Sequence, residues 1–342
     1  MDSITQIALG AAVGEAVAGK QVGRRALLWG GFFGLLPDLD ILISFGDAVC
    51  DVTYHRSWSH SALVMTAMTP LWTWLICKLQ PATRAHWRRM LALVFLALIT
   101  HTLLDCFTVY GTQILWPLPM APVGWSTIFI IDPAYSLPLM LGIGAAWYFH
   151  KRSPRRAARL NAIALALSCL YLGWSVGAKL IVERAVRAEL SARGVAYERL
   201  LTTPAPFNTL LWRVVVMTPD EYLEGYYSLV SGGGQPRFTQ HPANHELLAP
   251  VADAWAVQRL GWFTRGFIAA THEDGKLVLT DLRMGSEPNY VFRYVVAEGK
   301  RDRLHPVPPR RFDYPDFGRE QLAWLWRRTW DATADADRLV AR

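Results

Sequence analysis

The chain has 342 residues, enough for two domains, and its composition changes from strongly apolar to ordinary near residue 183. A net charge of +7 could suit a nucleic-acid partner, but many basic residues stand in short clusters between apolar segments, where they set membrane topology. We therefore expect no nucleic-acid binding. The four cysteines form no C-x-x-C pair, which argues against a zinc ribbon and against a disulfide framework.

Five apolar stretches in the first half approach or reach the roughly 20 residues needed to cross a bilayer. They cover residues 26–45, 61–79, 90–107, 128–149 and 160–181. A shorter segment over residues 5–18 is rich in Gly and Ala, which suits a sixth helix that packs closely or is re-entrant. The sequence therefore predicts a mainly α-helical membrane bundle of five to six transmembrane helices.

Basic residues occur in alternate loops between these stretches. They are Lys20, Arg24, Arg25, Lys78, Arg84, Arg88, Arg89, Lys151, Arg152, Arg155, Arg156 and Arg159. The intervening loops, residues 46–60 and 108–127, contain only one lysine or arginine, Arg56. By the positive-inside rule the basic loops face the cytoplasm, so the last span ends on the outer side. Residues 183–342 are therefore expected to be extracytoplasmic.

The second half has the pattern of an α+β domain. Alternating, β-branched and aromatic runs predict strands within residues 211–217, 262–270, 276–282 and 290–297. The E-D-G-K sequence at residues 273–276 predicts a hairpin turn between two of them. Helical patterns cover residues 245–258 and 319–340.

Ionisable side chains interrupt the apolar stretches, where each costs about 2.5 to 3.5 kcal/mol and therefore indicates a partner or a function. They are Asp38, Asp40, His101, Asp105 and Asp132. The predicted topology brings them to the outer half of the membrane, where the loop of residues 46–60 adds His55 and His60. Imidazole and carboxylate groups together are a usual ligand set for divalent metal ions.

The spacing of these residues supports a shared site and leaves alternatives open. His101 and Asp105 are at i and i+4, hence on one helix face. A continuous helix would point Asp38 and Asp40 in nearly opposite directions, unless Pro37 breaks it; otherwise one aspartate binds the ion and the other orients it. Each motif alone has a structural explanation: an H-x-x-x-D hydrogen bond, an interfacial turn at HRSWSH, and an N-cap at Asp132. Together they favour a metal site.

A divalent ion with an open coordination position activates water and polarises a carbonyl or phosphoryl oxygen, so hydrolysis is the expected chemistry. A carboxylate or a histidine outside the metal shell would serve as general base, and Arg56 could hold a phosphate or carboxylate of the substrate. The sequence has no nucleophile elbow, P-loop, dinucleotide-binding fingerprint or H-E-x-x-H motif, which argues against those enzyme classes.

Several segments are similar to one known family. They are MDSITQIALGAAVGEA at the start, PDLD at residues 37–40, HRSWSHS from residue 55, HTLLDCFTVYGTQILWP from residue 101 and IDPAYSLPL from residue 131. They resemble the bacterial membrane-bound, predicted metal-dependent hydrolases, a family that includes a LexA-regulated inner-membrane member. The resemblance covers about residues 1–180 and implies a polytopic fold, a divalent metal and hydrolysis. PAPFNTLLWRVV and LVLTDLRMG are similar to the C-terminal half of longer members.

Some members of that family carry a histidine in the first helix where this chain has Gln6, so either Asp2 is a substitute ligand or the site has fewer protein ligands. The predicted metal ligands are Asp38, Asp40, His55, His60, His101 and Asp105, with Asp2 and Asp132 as secondary candidates. The predicted catalytic residues are Asp38, Asp40, His55, Arg56 and His60. The expected ion is zinc, with manganese or magnesium as alternatives.

The sequence thus predicts a polytopic membrane domain over residues 1–182 and a smaller extracytoplasmic α+β domain over residues 183–342. The expected location is the bacterial cytoplasmic (inner) membrane. The expected function is hydrolysis of a membrane lipid or of a lipid-linked ester or phosphoester at its outer face. Two alternatives remain: a transporter for metal ions or protons, because intramembrane carboxylates also mark ion pathways, and a membrane-anchored envelope binding module.

Overall fold

The computed structural model describes residues 1–231, 236–312 and 318–334, which form two compact units. The first unit comprises Met1–Ile43 and Tyr54–Ser175, and the second comprises Ser44–Thr53 and Val176–Arg342. The division therefore falls inside a helix, slightly before the predicted domain boundary at residues 182 and 183. Residues 44–53 cluster with the second unit, although the prediction assigned them to the first domain.

Helices account for most of the chain up to residue 192. They are α1 (Ser3–Val22), α2 (Arg25–Leu35), α3 (Ala48–Tyr54), α4 (Ala62–Leu79), α5 (Trp87–Cys106), α6 (Pro133–Phe149) and α7 (Pro154–Ala192). Short 3-10 helices cover Leu36–Leu42, Trp58–His60 and Pro81–His86. Helix α1 packs against α2, α5 and α6, so it is central to the first unit.

Glycines allow α1 and α2 to approach backbone to backbone. A methyl group at Gly10 or Gly14 would overlap a carbonyl oxygen of α2, that of Gly30 or Ala26 respectively. Small residues at such an interface are typical of helices that pack closely within membranes. This contact fixes the position of the first turns of α1 relative to the C-terminal end of α2.

Three helical segments are long and apolar enough to cross a membrane: Ala62–Leu79, Pro81–Cys106 and Pro154–Ala192. In the first and the last of them only 22% of the apolar window is buried inside the protein. Large side chains such as Leu71, Trp74 and Leu170 are instead exposed, as expected for side chains that contact lipid.

Among the residues that the structure describes, three helices meet the length and composition of a membrane span, so the prediction of five to six was too high. The stretch 26–45 divides into the 11-residue α2 and a 3-10 helix that contains Pro37, because proline cannot continue regular helical hydrogen bonding. The stretch 128–149 becomes helical only from Pro133 and yields 17 residues. Helix α1 has 20 residues, but many are Gly or Ala, and Glu15 and Lys20 lower its hydropathy further.

The second unit is rich in antiparallel sheet, as predicted. Its strands are β1 (Arg199–Pro204), β2 (Leu211–Met217), β3 (Glu221–Ser228), β4 (Phe238–Pro242), β5 (Ile268–Glu273), β6 (Lys276–Asp281), β7 (Gly285–Ser286), β8 (Asn289–Tyr290), β9 (Arg293–Lys300) and β10 (Arg303–Arg311). One sheet has the order β1-β2-β3-β4, a second has β10-β9-β6-β5, and β7 pairs with β8. Helices α8 (Trp255–Thr264) and α9 (Arg319–Trp330) accompany them, with 3-10 helices at His245–Val251 and Ala332–Ala334.

The hairpin turn predicted at residues 273–276 joins β5 to β6, and Asp274 and Gly275 both have positive φ, as a two-residue type I′ turn requires. The predicted strand 262–270 is wrong in its first third, because residues 262–264 belong to α8; Arg265 caps the end of that helix in the left-handed conformation. The predicted helix 245–258 is a 3-10 helix followed by the start of α8. Of the predicted helix 319–340, α9 covers the first part, and residues 335–340 lie outside the described residues.

A buried ion pair within the first sheet also contacts the end of the second sheet. The Arg213 guanidinium lies 3.0 Å from the Glu224 carboxylate and donates at 2.7 Å to the carbonyl of Leu282, which follows β6. The Tyr290 hydroxyl also donates to Glu224, at 2.9 Å. Burial alone would raise the pKa of the Glu224 carboxyl, but the nearby Arg213 charge and these hydrogen bonds outweigh burial and lower that pKa.

Candidate metal centre

The PDLD motif forms a 3-10 helix that turns both carboxylates inward. With three residues per turn, residues at i and i+2 are about 120° apart, compared with about 160° in an α-helix. Asp38 and Asp40 are consequently buried, whereas Leu39, Ile41 and Leu42 are exposed. The 3-10 geometry after Pro37 thus removes the objection that their spacing would separate them.

The HRSWSH segment folds back as a tight turn that ends in a short 3-10 helix. Arg56 has a φ of 61°, in the left-handed region that non-glycine residues rarely adopt. The Arg56 backbone N–H donates to Asp40 at 3.2 Å, and the Ser59 hydroxyl donates to the same carboxylate. Asp40 therefore organises this turn and brings His60 into the interior, where it is fully buried.

Four donor atoms meet at the centre of the first unit. They are Oδ1 of Asp38, Nε2 of His60, Nε2 of His101 and Oδ2 of Asp105, all within 4.8 Å of one another. Five of their six mutual distances lie between 3.1 and 3.6 Å. Donors at the corners of a tetrahedron lie about 3.3 Å apart when each is about 2.0 Å from a central ion, the usual zinc–ligand distance. The arrangement therefore fits an ion with tetrahedral coordination.

Hydrogen bonds leave the lone pairs of both imidazoles directed at this centre. His101 Nδ1 lies 2.7 Å from the carbonyl oxygen of Gly34, which can only accept, so Nδ1 carries the proton of the neutral ring. The Ser59 hydroxyl proton is directed to Asp40, so His60 Nδ1 donates to Ser59 Oγ at 3.0 Å. With both rings in these neutral tautomers, two Nε2 lone pairs and two carboxylate oxygens face one another, and a cation would satisfy all four at once.

The two oxygens of Asp105 have separate roles. Oδ1 accepts a hydrogen bond from Gln6 at 3.0 Å, lies 3.3 Å from the Arg56 guanidinium and contacts the α-amino group of Met1. Oδ2 is buried and has no hydrogen-bond donor among the residues that the structure describes. The donors on one oxygen thus hold the other in place for the central site. The Arg56 guanidinium, which lies beside Oδ1, also donates a hydrogen bond to the Thr108 hydroxyl at 3.1 Å.

Asp40 and His55 form a second layer beside the four donors. His55 Nδ1 lies 2.8 Å from Asp40 Oδ1, and Asp40 Oδ2 lies 3.7 Å from His60 Nδ1, the nitrogen directed away from the centre. The side chain of His55 is 20% exposed, whereas those of His60 and His101 are fully buried. The structure thus places Asp40 and His55, both predicted as ligands, beside the four central donor atoms and not among them.

The secondary candidates are not among the four grouped residues, and each caps a helix. Asp2 accepts the backbone N–H of Thr5 at the start of α1. Asp132 accepts the backbone N–H of Ala134 at the start of α6 and a bond from Tyr171 at 2.9 Å. Both carboxylates already have structural partners, so their positions do not support the predicted role of Asp2 and Asp132 as metal ligands.

Sequence reasoning missed several partners of the site. Ser59 stands inside the HRSWSHS motif, so its proximity to His60 was a usable signal. Gln6 was noted only as a departure from a histidine, yet its side-chain amide contacts both Asp105 and the carbonyl of His101. The contact of the Met1 amine had no signal in the spacing of residues, because it depends on how α1 packs.

Comparison with known proteins identifies a family for the first unit. The family described as YdjM inner membrane protein matches residues 1–182, which include every residue of the centre. No curated protein and no solved structure matches the chain.

Proposed function

Given that the chain belongs to the YdjM inner membrane protein family, we propose that it is a membrane-embedded, metal-dependent hydrolase. The observation that carries the proposal is the group of Asp38, His60, His101 and Asp105, whose donor atoms have the spacing of a tetrahedral site. Among the described residues this is the one group of three or more such side chains close enough to share an ion. The distances favour zinc, with manganese or magnesium as alternatives.

A divalent ion bound there, if it accepts a water as a fifth ligand, would polarise a substrate oxygen and lower the pKa of that water toward about 7. Hydrolysis also needs a proton acceptor close to that water. His55 fits this role, because Asp40 holds its Nδ1 at 2.8 Å and the ring stands at the exposed border of the cluster. The Asp40–His55 pair would then take the proton while Asp38, His60, His101 and Asp105 hold the ion.

Arg56 supplies a positive charge that could bind the anionic part of a substrate. It is 6% exposed, and its Nε is buried with no hydrogen-bond acceptor in the described part of the chain. Its guanidinium lies 4.9 Å from the ring centre of Tyr110 and reaches Asp105 and Thr108 with its terminal nitrogens. An arginine held on these sides, whose buried Nε still lacks an acceptor, could donate to a phosphate or carboxylate group that enters the site.

The surroundings of the site favour a lipid or lipid-linked ester or phosphoester as substrate. The 3-10 helix that buries Asp38 and Asp40 exposes Ile41 and Leu42 at 74% and 80%, and Trp58 in the neighbouring turn is 41% exposed. Large apolar side chains next to a polar centre are expected where a site opens to acyl chains at headgroup depth.

The proposed topology places this centre at the outer face of the bacterial inner membrane. The clusters of basic residues before α2, between α4 and α5, and before α7 would be cytoplasmic by the positive-inside rule. Six crossings would result if α1, α2 and α6 also span the membrane, or five without α1, and either number would leave the sheet domain extracytoplasmic. Labelling single cysteines at Arg84 and Arg301 with an impermeant maleimide in intact cells tests this: only position 301 should react.

The function itself is tested with purified protein loaded with Zn²⁺ and offered phospholipids, lipid-linked phosphates and soluble esters. We expect hydrolysis of a lipid class that requires metal and falls at least about 100-fold in His55→Gln, the size of a general-base contribution. Asp132→Asn is the matched control, since it retains a helix cap outside the centre. Cleavage of soluble esters alone would remove the lipid assignment, and equal activity in His55→Gln would remove the proposed base.

Two observations favour second candidates. Four protein donors can close a tetrahedral site, which is typical of structural zinc and would suit a membrane-anchored binding module. Glu15 is buried on α1 with His150 Nδ1 3.7 Å from its carboxylate, which would suit a transporter for protons or metal ions. Metal that stabilises the protein without any hydrolysis favours the first, and ion flux in proteoliposomes that Glu15→Ala abolishes favours the second.

A further inference from the structure

Helix α9 is attached to the sheet domain by one face. On that face Trp324, Arg328 and Thr329 are buried. The Trp324 ring meets the Tyr226 ring edge to face at 5.0 Å, and the Arg328 guanidinium donates to the Tyr226 carbonyl at 2.9 Å. The Ser228 hydroxyl donates to the carbonyl of Thr329. These contacts fix which side of the helix points away from the sheet.

The exposed part of the helix surface carries three large apolar side chains in a row. Leu322, Trp326 and Trp330 stand at i, i+4 and i+8, and they are 41%, 62% and 53% exposed. The rings of Trp326 and Trp330 contact each other at a centroid distance of 5.6 Å. Isolated exposed apolar residues are common, but a stripe of this kind on one helix face marks a surface that another body covers.

The chemistry of the stripe points to the membrane as that body. Tryptophan is the residue most typical of the membrane–water boundary, because its ring is apolar and its N–H prefers a wet neighbour. The exposed Arg319 and Arg327 flank the stripe and can pair with lipid phosphates. At 12 residues the helix is too short to span a bilayer, so it would lie in the plane of the surface.

The rest of the chain supplies the bilayer. The sheet domain is covalently joined to helices that are long and apolar enough to cross a membrane, so lipid is present at high effective concentration. We propose that α9 lies in the headgroup region of the membrane, with Leu322, Trp326 and Trp330 directed at the acyl chains. This inference does not depend on the metal centre or on the proposed hydrolysis.

Photo-crosslinking of the full chain tests the proposal. Benzoylphenylalanine is placed at position 326, 330 or 320, one at a time, and the protein is reconstituted in vesicles of phosphatidylethanolamine and phosphatidylglycerol that carry a labelled acyl chain. Glu320 is the matched control, because it is exposed on the same helix about 120° around from Trp326. Each substitution replaces an exposed side chain, so folding should be retained, and the unfolding temperature verifies this.

We expect several-fold more lipid adduct at positions 326 and 330 than at position 320. Equal adducts at all three positions would overturn the proposed orientation. Adducts of doubled mass would show that a second copy of the chain covers the face, and crosslinks within one chain would show that another part of the protein does. Absence of any adduct would show a face open to water, and each of these three results also overturns the proposal.

Discussion

In the proposed site, Asp40 orients the residues that bind the ion, whereas Asp38 binds it. The sequence could not distinguish these two roles. It holds His55 Nδ1 at 2.8 Å and the Arg56 N–H at 3.2 Å, but approaches His60 only from the Nδ1 side, at 3.7 Å. Loss of such an outer partner typically weakens metal binding about 10- to 100-fold, which is about 1.4 to 2.8 kcal/mol. We predict a loss of this size for Asp40→Asn.

Asp38→Asn should be more damaging, because Oδ1 of Asp38 is one of the four central donors, 3.4 Å from His60 Nε2 and 3.6 Å from His101 Nε2. Four-ligand zinc sites bind with about 10 to 16 kcal/mol, so one ligand contributes roughly 2.5 to 4 kcal/mol. The expected loss for Asp38→Asn is therefore two to three orders of magnitude in affinity.

The assay is competition for Zn²⁺ between metal-stripped protein in detergent and a chromophoric chelator. Asp132→Asn serves as the control, since asparagine caps a helix as well as aspartate does and the residue lies outside the centre. The unfolding temperature of each variant is measured in parallel to verify folding. An Asp40→Asn loss as large as that of Asp38→Asn would refute the separation of roles, and an Asp38→Asn affinity equal to that of the control would refute the site.

Two further predictions concern stability. Gly14→Ala should destabilise the protein by about 1 to 3 kcal/mol, because the new methyl overlaps the carbonyl of Ala26; Gly144→Ala, where the methyl meets open space, should not, and thermal unfolding in detergent compares them. Arg213→Met should cost about 3 to 5 kcal/mol by leaving Glu224 buried without its charge partner. Because the pKa of Glu224 is lowered on folding, its stabilising effect exists above the unfolded value of about 4.3 and is lost as pH falls through the folded value. Unfolding of wild type and Arg213→Met between pH 3 and 7 should therefore converge at the acid end, and a constant difference would contradict this reasoning.

The sequence was informative where one local signal determined the outcome. The i, i+4 spacing placed His101 and Asp105 on one face of α5, and the D-G pair fixed the turn between β5 and β6. Asp38 and Asp40 stood out because carboxylates in an apolar run need a partner. The direction in which both point depends on the 3-10 geometry after Pro37, which their spacing alone does not determine.

Other features depended on packing that no local pattern encodes. The choice of Asp38 over Asp40 as a central donor follows from the fold of the HRSWSH turn, which captures Asp40 through Ser59 and the backbone of Arg56. The position of Gln6 follows from the close approach of α1 to α2 through their glycines. The number of spans was overestimated because apolar composition was counted across Pro37, where the regular helix ends.

The central claim is that Asp38, His60, His101 and Asp105 bind a metal ion. Metal content by inductively coupled plasma mass spectrometry tests it most directly, on detergent-purified wild type and on the His101→Ala, Asp105→Ala double variant, with folding verified by thermal unfolding. We predict about one divalent ion per chain in the wild type, as four donors around one centre require, and its loss in the double variant. The absence of metal from the wild type even after reconstitution, or equal metal in both proteins, would contradict the claim.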